Sequence, residues 1–281
     1  MNSTPEQTPT ALICLDLDGT SVEHDGLHAW FSDAVAEALN DAAGCGAVWC
    51  SNSGRPAENQ YGLIQACRTL DAMPIAILSG ERYIHDLHPT GYALVARQPN
   101  NDLAAAKARD LTTKAKEVLA PSLDRLQDGR EVAEFHPGDE FIAWLLTEQA
   151  DWTGFVAEVR RALRPLPEAQ VLRNGRWVIV VHADFGKGKI LTETARTLGV
   201  PPSRILAVGD QPNDLDMLTG RSAHFPGCPA DADAEVRDTV TAAGGWIADA
   251  PSCTGTVELI ERFLAVVGDG QGRNGPRSRQ T

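Results

Sequence analysis

The sequence predicts an α/β protein: a Rossmann-like, doubly wound parallel sheet with an α+β module inserted into it. Three observations support this prediction. Short apolar runs typical of buried parallel strands alternate with helical segments. Three of these runs end in clusters of polar residues. A different order of helices and hairpins interrupts the alternation between residues 82 and 184.

The first apolar run, Ala11–Leu15, ends in two acids, Asp16 and Asp18, followed by Gly-Thr. Residues two apart in a strand point to the same side, so both carboxylates leave the carboxyl end of the strand together. Open α/β sheets bind ligands at that end. Two like charges so close require a cation or a shared proton. An Asp-rich turn is the plain alternative, because Asp and Gly are common in turns.

The second run, residues 46–50, ends in Ser51-Asn-Ser53-Gly54-Arg55. Hydroxyl groups, backbone amides and an arginine suit an oxyanion such as phosphate, and either Ser51 or Ser53 could supply the hydroxyl. A turn before a helix that starts near Pro56 is the alternative. We expect that helix to reach about residue 70, and a third strand to cover residues 74–78.

The interrupting segment starts with a hairpin-like piece over residues 83–97 and continues with a helical stretch over 102–126. Strands at 131–136 and 141–147, a helix from Asp151 to about Leu163 and a hairpin around Asn174-Gly175 follow. This α-β-β-α-β-β order predicts a self-sufficient module over residues 82–184. Residues 1–81 and 185–267 then form the two parts of the core domain, and the Gly/Arg/Ser-rich residues 268–281 are predicted to be disordered.

The core pattern resumes with a helix from Lys187 to Leu198, which Gly199 ends. The next apolar run, residues 204–208, leads into a polar cluster of Asp210, Asn213 and Asp214. Polar clusters at three strand ends suggest one site at the carboxyl edge of the sheet. Lys187 and Lys189 are both candidates for its lysine.

The chemistry that these clusters suggest is phosphoryl transfer. Carboxylates of Asp16, Asp210 and Asp214 are hard oxygen ligands that suit Mg²⁺. A metal and a lysine would neutralise the charge of a phosphate, since positioning and electrostatics dominate such catalysis. One carboxylate could attack phosphorus, and a second acid could exchange the proton.

Four segments of the chain resemble, in the same order, the four motifs of the haloacid dehalogenase superfamily of phosphatases. The inserted module resembles the large α/β cap of the Cof-type and sucrose-phosphatase-like branches. The segments are Asp16-Leu-Asp18-Gly-Thr, Ser53-Gly-Arg, Lys187-Gly and Gly209-Asp210-x-x-Asn213-Asp214.

The resemblance implies a role for each matching residue. Asp16 would be the nucleophile and Asp18 the general acid/base. Mg²⁺ would be bound by Asp16, the backbone carbonyl of Asp18, Asp210 and Asp214. The groups that would hold the phosphate are Ser53, Gly54, Arg55, Lys187 and Asn213.

The leading hypothesis is a Mg²⁺-dependent phosphatase that hydrolyses a phosphate monoester of a small metabolite through an aspartyl-phosphate intermediate. Resemblance to capped relatives favours a sugar phosphate or a sugar-like phosphate. A phosphomutase or phosphotransferase is the alternative enzyme, and a catalytically silent sugar-phosphate-binding protein is the alternative outside catalysis. We expect the module to be a mobile cap whose residues 136–141 and 173–176 select the substrate.

Composition and net charge limit the classes of binding partner and the cellular compartment that we expect. A net charge of −13 over 281 residues argues against nucleic-acid or anionic-membrane partners, which reward clustered Lys and Arg. The six cysteines form no C-x-x-C pair or zinc-like spacing, which favours a reduced, cytoplasmic setting. Neither a signal peptide nor a membrane span is predicted. His24 and His28 are predicted to lie in a loop or at a helix start rather than on one helix face, because Asp25-Gly26 separates them.

Overall fold

The computed structural model describes residues 9–87, 93–126 and 131–269. The helices in these ranges are α1 (Asp33–Gly44), α2 (Ala57–Ala66), α3 (Asn100–Leu119), α4 (Leu123–Leu126), α5 (Trp152–Ala162), α6 (Lys187–Leu198), α7 (Ala234–Ala242) and α8 (Ser252–Asp269). The strands are β1 (Ala11–Leu15), β2 (Val22–His24), β3 (Ala29–Phe31), β4 (Ala47–Ser53), β5 (Ala76–Ser79), β6 (Tyr83–Leu87), β7 (Leu94–Ala96), β8 (Val132–Pro137), β9 (Ile142–Leu146), β10 (Ala169–Asn174), β11 (Trp177–His182), β12 (Ile205–Val208), β13 (Phe225–Cys228) and β14 (Trp246–Ile247).

The main sheet has the strand order β14-β13-β12-β1-β4-β5-β6-β7 within the described residues. Its strands from β14 to β5 run parallel. Strand β1 lies at the centre, with Leu15 opposite Val208 of β12 on one side and Ser51 of β4 on the other. The carboxyl ends of these three strands therefore lie at one edge of the sheet, as the sequence predicts.

The two faces of this sheet are covered by different helices, which confirms the predicted doubly wound α/β core. Ile13 and Leu15 of β1 pack in one buried cluster with residues of α1 and α8. Leu12 and Cys14 point the other way and pack with residues of α6 and α7. Because both faces of β1 are covered, its sequence is apolar throughout.

The hairpin formed by β6 and β7 follows the predicted start of the inserted module at residue 82 and extends the main sheet. Strand β6 pairs antiparallel with β5, with Ser79 opposite Tyr83, and β7 pairs with β6. Ile84 is fully buried in the same cluster as β1 residues. A short turn after β5 lets the chain fold back onto the free edge of the parallel sheet, where unpaired backbone groups accept a further strand.

A second sheet is made by the later part of the predicted cap. Its antiparallel strand order is β10-β11-β9-β8, and the α-β-β-α-β-β order agrees with the prediction. Residues of α3 and α5 cover one face, where Trp144, Phe155 and Leu111 share a buried cluster that is distinct from those of the main sheet. The cap boundaries as a whole stay a prediction.

Helix α8 extends to Asp269, two residues beyond the predicted end of the core at residue 267. The rest of the predicted disordered tail, residues 270–281, lies outside the described residues. None of the helices in the described ranges combines the length and apolar character needed to cross a membrane.

Candidate active site

The acids predicted from the first and fourth motifs meet where β1 and β12 end. The backbone N–H of Asp16 donates to the carbonyl of Val208 at 2.9 Å, which places Asp16 beside the start of the next loop. Oxygen atoms of Asp16, Asp210 and Asp214 lie within 4.8 Å of one another. Because β1 and β12 pair in parallel, acids that are almost two hundred residues apart in the sequence meet in one group of carboxylates at the ends of these strands.

Local hydrogen bonds orient these carboxylates. Oδ2 of Asp214 accepts the backbone N–H groups of Asp210, at 3.0 Å, and of Gln211, at 2.9 Å. Asp210 in turn accepts from the Thr20 hydroxyl at 3.2 Å and from the Gln211 side-chain amide at 3.1 Å. Asp214 therefore shapes the loop that carries Asp210, as well as belonging to the carboxylate group.

Lys187 lies inside this group. Its ammonium donates to Asp16 Oδ1 at 2.7 Å and to Asp214 Oδ1 at 2.5 Å, and the side chain is fully buried. Burial by itself lowers the pKa of Lys187, but Asp16 and Asp214 raise it above its ordinary value. Lys189 is exposed and donates to the carbonyl of Ala183, so the structure brings only the first of the two candidate lysines to the acids.

The start of helix α6 positions Lys187. The N–H of Gly188 donates to Oδ2 of Asp216 at 2.9 Å, so Asp216 satisfies a backbone group that the first turn leaves free. A Cβ at Gly188 would lie 2.4 Å from the backbone oxygen of Asp216, which explains the glycine after Lys187. Sequence reasoning missed Asp216, because an acid in the helical turn after the fourth motif has no distinguishing pattern.

Two of the carboxylates, Asp16 and Asp210, resist ionisation. Burial raises the pKa of Asp16 well above its ordinary range, against the opposing charge of Lys187, and the charges of Asp214 and Asp210 raise it further. Burial and the charge of Asp214 raise the pKa of Asp210 to about 7. The three acids have one buried lysine among them, so the group favours an added cation.

The carboxylate group fits a hard divalent cation such as Mg²⁺. Its donors are all carboxylate oxygens, which such ions prefer. The side chain of Asp18 is not part of the group. The assignment of these residues as ligands stays a prediction.

Asp18 has other partners. Arg55 donates to both of its carboxylate oxygens, at 2.7 and 2.5 Å, and His24 Nε2 lies 2.9 Å from Oδ1. Burial raises the pKa of Asp18, but Arg55 and His24 outweigh it and the pKa is lowered. His24 ends strand β2 rather than lying in a loop, and sequence reasoning gave it no role in the site.

Ser51 and Ser53 have different environments, although both belong to β4. The Ser51 hydroxyl donates to the side chain of Gln60 at 2.8 Å and is fully buried. Ser53 is the last residue of the strand, and its Oγ accepts from the N–H of Arg55 at 3.3 Å. Ser53 is thus the serine at the sheet edge, where the carboxylates lie.

Asn213 meets a residue that sequence reasoning missed. Its side-chain amide donates to Oε1 of Glu81 at 3.3 Å, while its own Oδ1 is buried without a partner among the described residues. Glu81 follows β5, whose carboxyl end lies at the same sheet edge as those of β1, β4 and β12. The Ser79-Gly80-Glu81 segment repeats the pattern of polar residues after an apolar run, and that signal could have identified it.

The hairpin of β10 and β11 contacts the core loops beside the site. Arg173 forms an ion pair with Asp233, and the N–H of Gly175 donates to Oε1 of Gln211 at 3.1 Å. The backbone carbonyl of Glu81 accepts from the N–H of Gly186 at 2.8 Å. This hydrogen bond joins the segment that follows β5 to the segment that precedes α6. A cleft of about 850 Å³ between α5 and α7 reaches Asn213, but neither Asp16 nor Asp18 lines it.

Comparisons with known proteins agree with this fold. A family model described as haloacid dehalogenase-like hydrolase matches residues 91–224. The chain is 33% identical over 94 residues to a phosphoglycolate phosphatase from Methanoculleus marisnigri, which is 34% of this chain and 38% of that protein. The chain thus spans well under half of that curated relative.

Solved structures match over much more of the chain. The sucrose-phosphatase from Synechocystis sp. PCC6803, solved with sucrose and phosphate, has a TM-score of 0.66 at 20% identity, covering 91% of this chain and 98% of that one. A haloacid dehalogenase-like hydrolase from B. subtilis has a TM-score of 0.59 at 15% identity, covering 90% and 100%. At these identities the likeness is one of fold.

Proposed function

We propose that the chain is a haloacid dehalogenase-like hydrolase and that it is a phosphatase acting on a small phosphate monoester; the support is the family model that matches residues 91–224 and the likeness of fold to a sucrose-phosphatase. The observation that carries the proposal is the buried contact of Lys187 with Asp16 and Asp214, next to Asp210. One cation held among three acids at a strand-end site suits a reaction that gathers negative charge.

In the proposed first step, a carboxylate oxygen of Asp16 attacks phosphorus and the bond to the ester oxygen breaks. This leaves an aspartyl-phosphate and an alcohol, whose oxygen takes a proton from the carboxylic acid of Asp18. In the second step, the Asp18 carboxylate takes a proton from a water that attacks phosphorus. The bond to Asp16 then breaks, inorganic phosphate leaves, and Asp18 is again protonated.

Other residues hold and balance the phosphoryl group. Lys187 already contacts Asp16, so its charge would lie against the transferring phosphoryl oxygens. Ser53 and the backbone at Gly54 would donate hydrogen bonds from the end of β4, and Asn213 would donate from the opposite loop. Asp16, Asp210, Asp214 and the Asp18 carbonyl would hold Mg²⁺, which supplies positive charge that offsets the carboxylates and the phosphate when bound.

Arg55 must leave Asp18 for the proton transfers to occur. In this structure both oxygens of Asp18 accept from the guanidinium, which favours the ionised form. A phosphate dianion is a stronger attractor for a planar guanidinium than a single carboxylate is. We propose that the arriving phosphate draws Arg55 away and frees Asp18.

A sugar phosphate is the substrate class that we favour. The support is the similarity of fold, over 91% of this chain, to a sucrose-phosphatase that was solved with sucrose and phosphate. The phosphorylated compound is proposed as the protein's small-molecule partner, in a cytoplasmic setting.

The test is release of inorganic phosphate from a panel of phosphate esters, with and without Mg²⁺. We expect turnover of at least one sugar phosphate without an added acceptor. Asp16→Asn should lower it by at least roughly 10³-fold, because the nucleophile is lost. Asp110→Asn, the same change at an exposed position of α3, is the control. Transfer to a second sugar without phosphate release would show a phosphotransferase, and tight binding without turnover a silent binding protein.

A further inference from the structure

Glu81 occupies a backbone position that disfavours its residue type. It lies in the turn between β5 and β6, where the N–H of Arg82 donates to the carbonyl of Ser79 at 3.2 Å. The two central residues, Gly80 and Glu81, have φ values of 55° and 60°. Turns of this kind favour Gly, Asn or Asp, and a left-handed glutamate is strained. Such strain tends to occur where a side chain has a function.

The side chain of Glu81 is also buried with few partners. Only 4% of the residue is exposed. Its Oε1 accepts from the Asn213 amide at 3.3 Å, and among the described residues it makes no ion pair and no hydrogen bond through Oε2. Lys187 lies close enough for Glu81 to raise its pKa, but its ammonium contacts Asp16 and Asp214 instead. The Glu81 carboxylate thus has one hydrogen bond from a described residue and can accept others, which points to a ligand group that completes it.

Glu81 borders the space over the predicted phosphate-binding turn. A Cβ at Gly54 would lie 3.3 Å from Oε1 of Glu81 and 3.8 Å from Nδ2 of Asn174. Asn174 is the last residue of β10, at the tip of the hairpin, and its amide has no hydrogen bond among the described residues. A core carboxylate and a cap amide therefore flank the place where the non-phosphate part of a substrate would leave the phosphoryl group.

We propose that Glu81, with Asn174 beside it, selects phosphate compounds whose remaining part is neutral and hydroxylated, and rejects those with a second anionic group. The proposal rests on the function proposed above. A hydroxyl over Gly54 would donate to the Glu81 carboxylate and accept from the amide of Asn174, which adds a hydrogen bond to each group. A second carboxylate on the substrate would instead meet a like charge in a buried site.

Two phosphonates that differ in one group provide the test, because they bind without being hydrolysed. The probes are 2-hydroxyethylphosphonate, which ends in a hydroxyl, and phosphonoacetate, which ends in a carboxylate. Isothermal titration calorimetry of the full chain with Mg²⁺ gives the two dissociation constants. We expect the wild type to bind the hydroxylated probe at least about tenfold more tightly. In Glu81→Gln the preference should fall to about twofold, through tighter binding of phosphonoacetate.

Glu193→Gln is the matched control, because it removes the same charge on α6, where Glu193 pairs with Arg196. It should keep the wild-type preference. Glu81→Asn removes the charge with a residue that accepts a left-handed backbone, and it replaces the first variant if Glu81→Gln does not fold. An unchanged preference in a folded Glu81 variant would overturn the proposal.

Failure of the phosphatase proposal has a different signature. If no ester in the panel is hydrolysed but the two probes bind with the expected preference and its loss in Glu81→Gln, the role of Glu81 stands and only the catalytic proposal fails. If esters are hydrolysed and the preference is unchanged in the variant, only the role of Glu81 fails.

Discussion

Arg55 holds the carboxylate of Asp18 with two hydrogen bonds, from Nε to Oδ2 at 2.7 Å and from Nη2 to Oδ1 at 2.5 Å. His24 Nε2 lies 2.9 Å from Oδ1 of the same carboxylate. The proposed acid/base residue is therefore paired with two basic groups while the proposed nucleophile, Asp16, is paired with Lys187. The two acids of the first motif thus have opposite environments, and the pKa of Asp18 is lowered where that of Asp16 is raised.

The Arg55–Asp18 contact predicts the titration of Asp18. In Arg55→Met we expect the pKa of Asp18 to rise, because burial then acts with only His24 opposing it. Carboxyl ¹³C NMR of the wild type and the variant measures this shift directly. Arg161→Met, at an exposed position of α5, should leave Asp18 unchanged. A lower pKa in Arg55→Met would contradict the assignment.

Asp18→Asn should slow turnover in a way that depends on the leaving group. Asparagine cannot supply a proton, so a sugar phosphate should lose roughly 10²–10⁴-fold in its rate of phosphoryl transfer. An aryl phosphate whose leaving group needs no proton should lose much less in that step. Rapid-quench measurement of the released alcohol separates this step from hydrolysis of the intermediate. Equal losses for both substrates would argue against a proton-donating Asp18.

Lys187→Met should destabilise the fold, and more so at high pH. The variant leaves Asp16 and Asp214 buried without their cation, which costs roughly 3–5 kcal/mol at pH 8. An acid whose pKa is higher in the folded chain than in the unfolded chain stabilises the fold less as pH rises between those two values. Asp16 is such an acid, because burial raises its pKa, so the loss should be smaller at pH 5, where Asp16 takes up a proton more readily. Urea unfolding at both pH values measures the difference, and a larger loss at pH 5 would contradict this account.

Mg²⁺ binding should strengthen as pH rises towards 7. Because burial raises the pKa of Asp210 to about 7 without metal, this carboxyl holds a proton below that pH and must lose it to bind the ion. We expect the affinity to rise by up to about tenfold per pH unit below 7 for each proton displaced, and to level off above. Calorimetric titrations at pH 5.5, 6.5 and 8 test this. Asp210→Asn should weaken binding and flatten the dependence, whereas a pH-independent wild type would exclude proton competition.

The ion pair of Arg173 with Asp233 should hold the hairpin of β10 and β11 against the core. Both side chains are mostly shielded, so their loss matters more than that of a surface pair. In Arg173→Ala we expect faster amide hydrogen exchange over residues 169–182 and a KM raised several-fold with kcat less affected. Arg161→Ala provides a control at an exposed arginine. Unchanged exchange in Arg173→Ala would show that the hairpin is held by other contacts.

Several features of this protein follow from local sequence alone. Apolar runs that end in acids identified β1, β12 and the sheet edge, because a buried parallel strand must be apolar along its length and can turn polar only where it leaves the core. The start of α6 at Lys187 and its end at Gly199 also followed, since glycine reaches the left-handed conformation that closes a helix; Gly199 has φ 69°. Each of these patterns occupies only a few consecutive residues, so it can be recognised without the tertiary structure.

Tertiary structure decided what local patterns leave open. Whether β6 and β7 extend the main sheet or join the cap depends on which free edge they pair with, and local sequence does not encode strand pairing. The partners of Asp18, namely Arg55 and His24, depend on how β4 and the β2–β3 hairpin meet. Glu81 acquired its burial and its neighbours Asn213 and Asn174 only when three distant segments converged. The pKa of an acid depends on its burial and on the charges around it, and these arise only when distant segments meet. The acids of this site can therefore be predicted from the sequence, but only the fold determines which of them ionise.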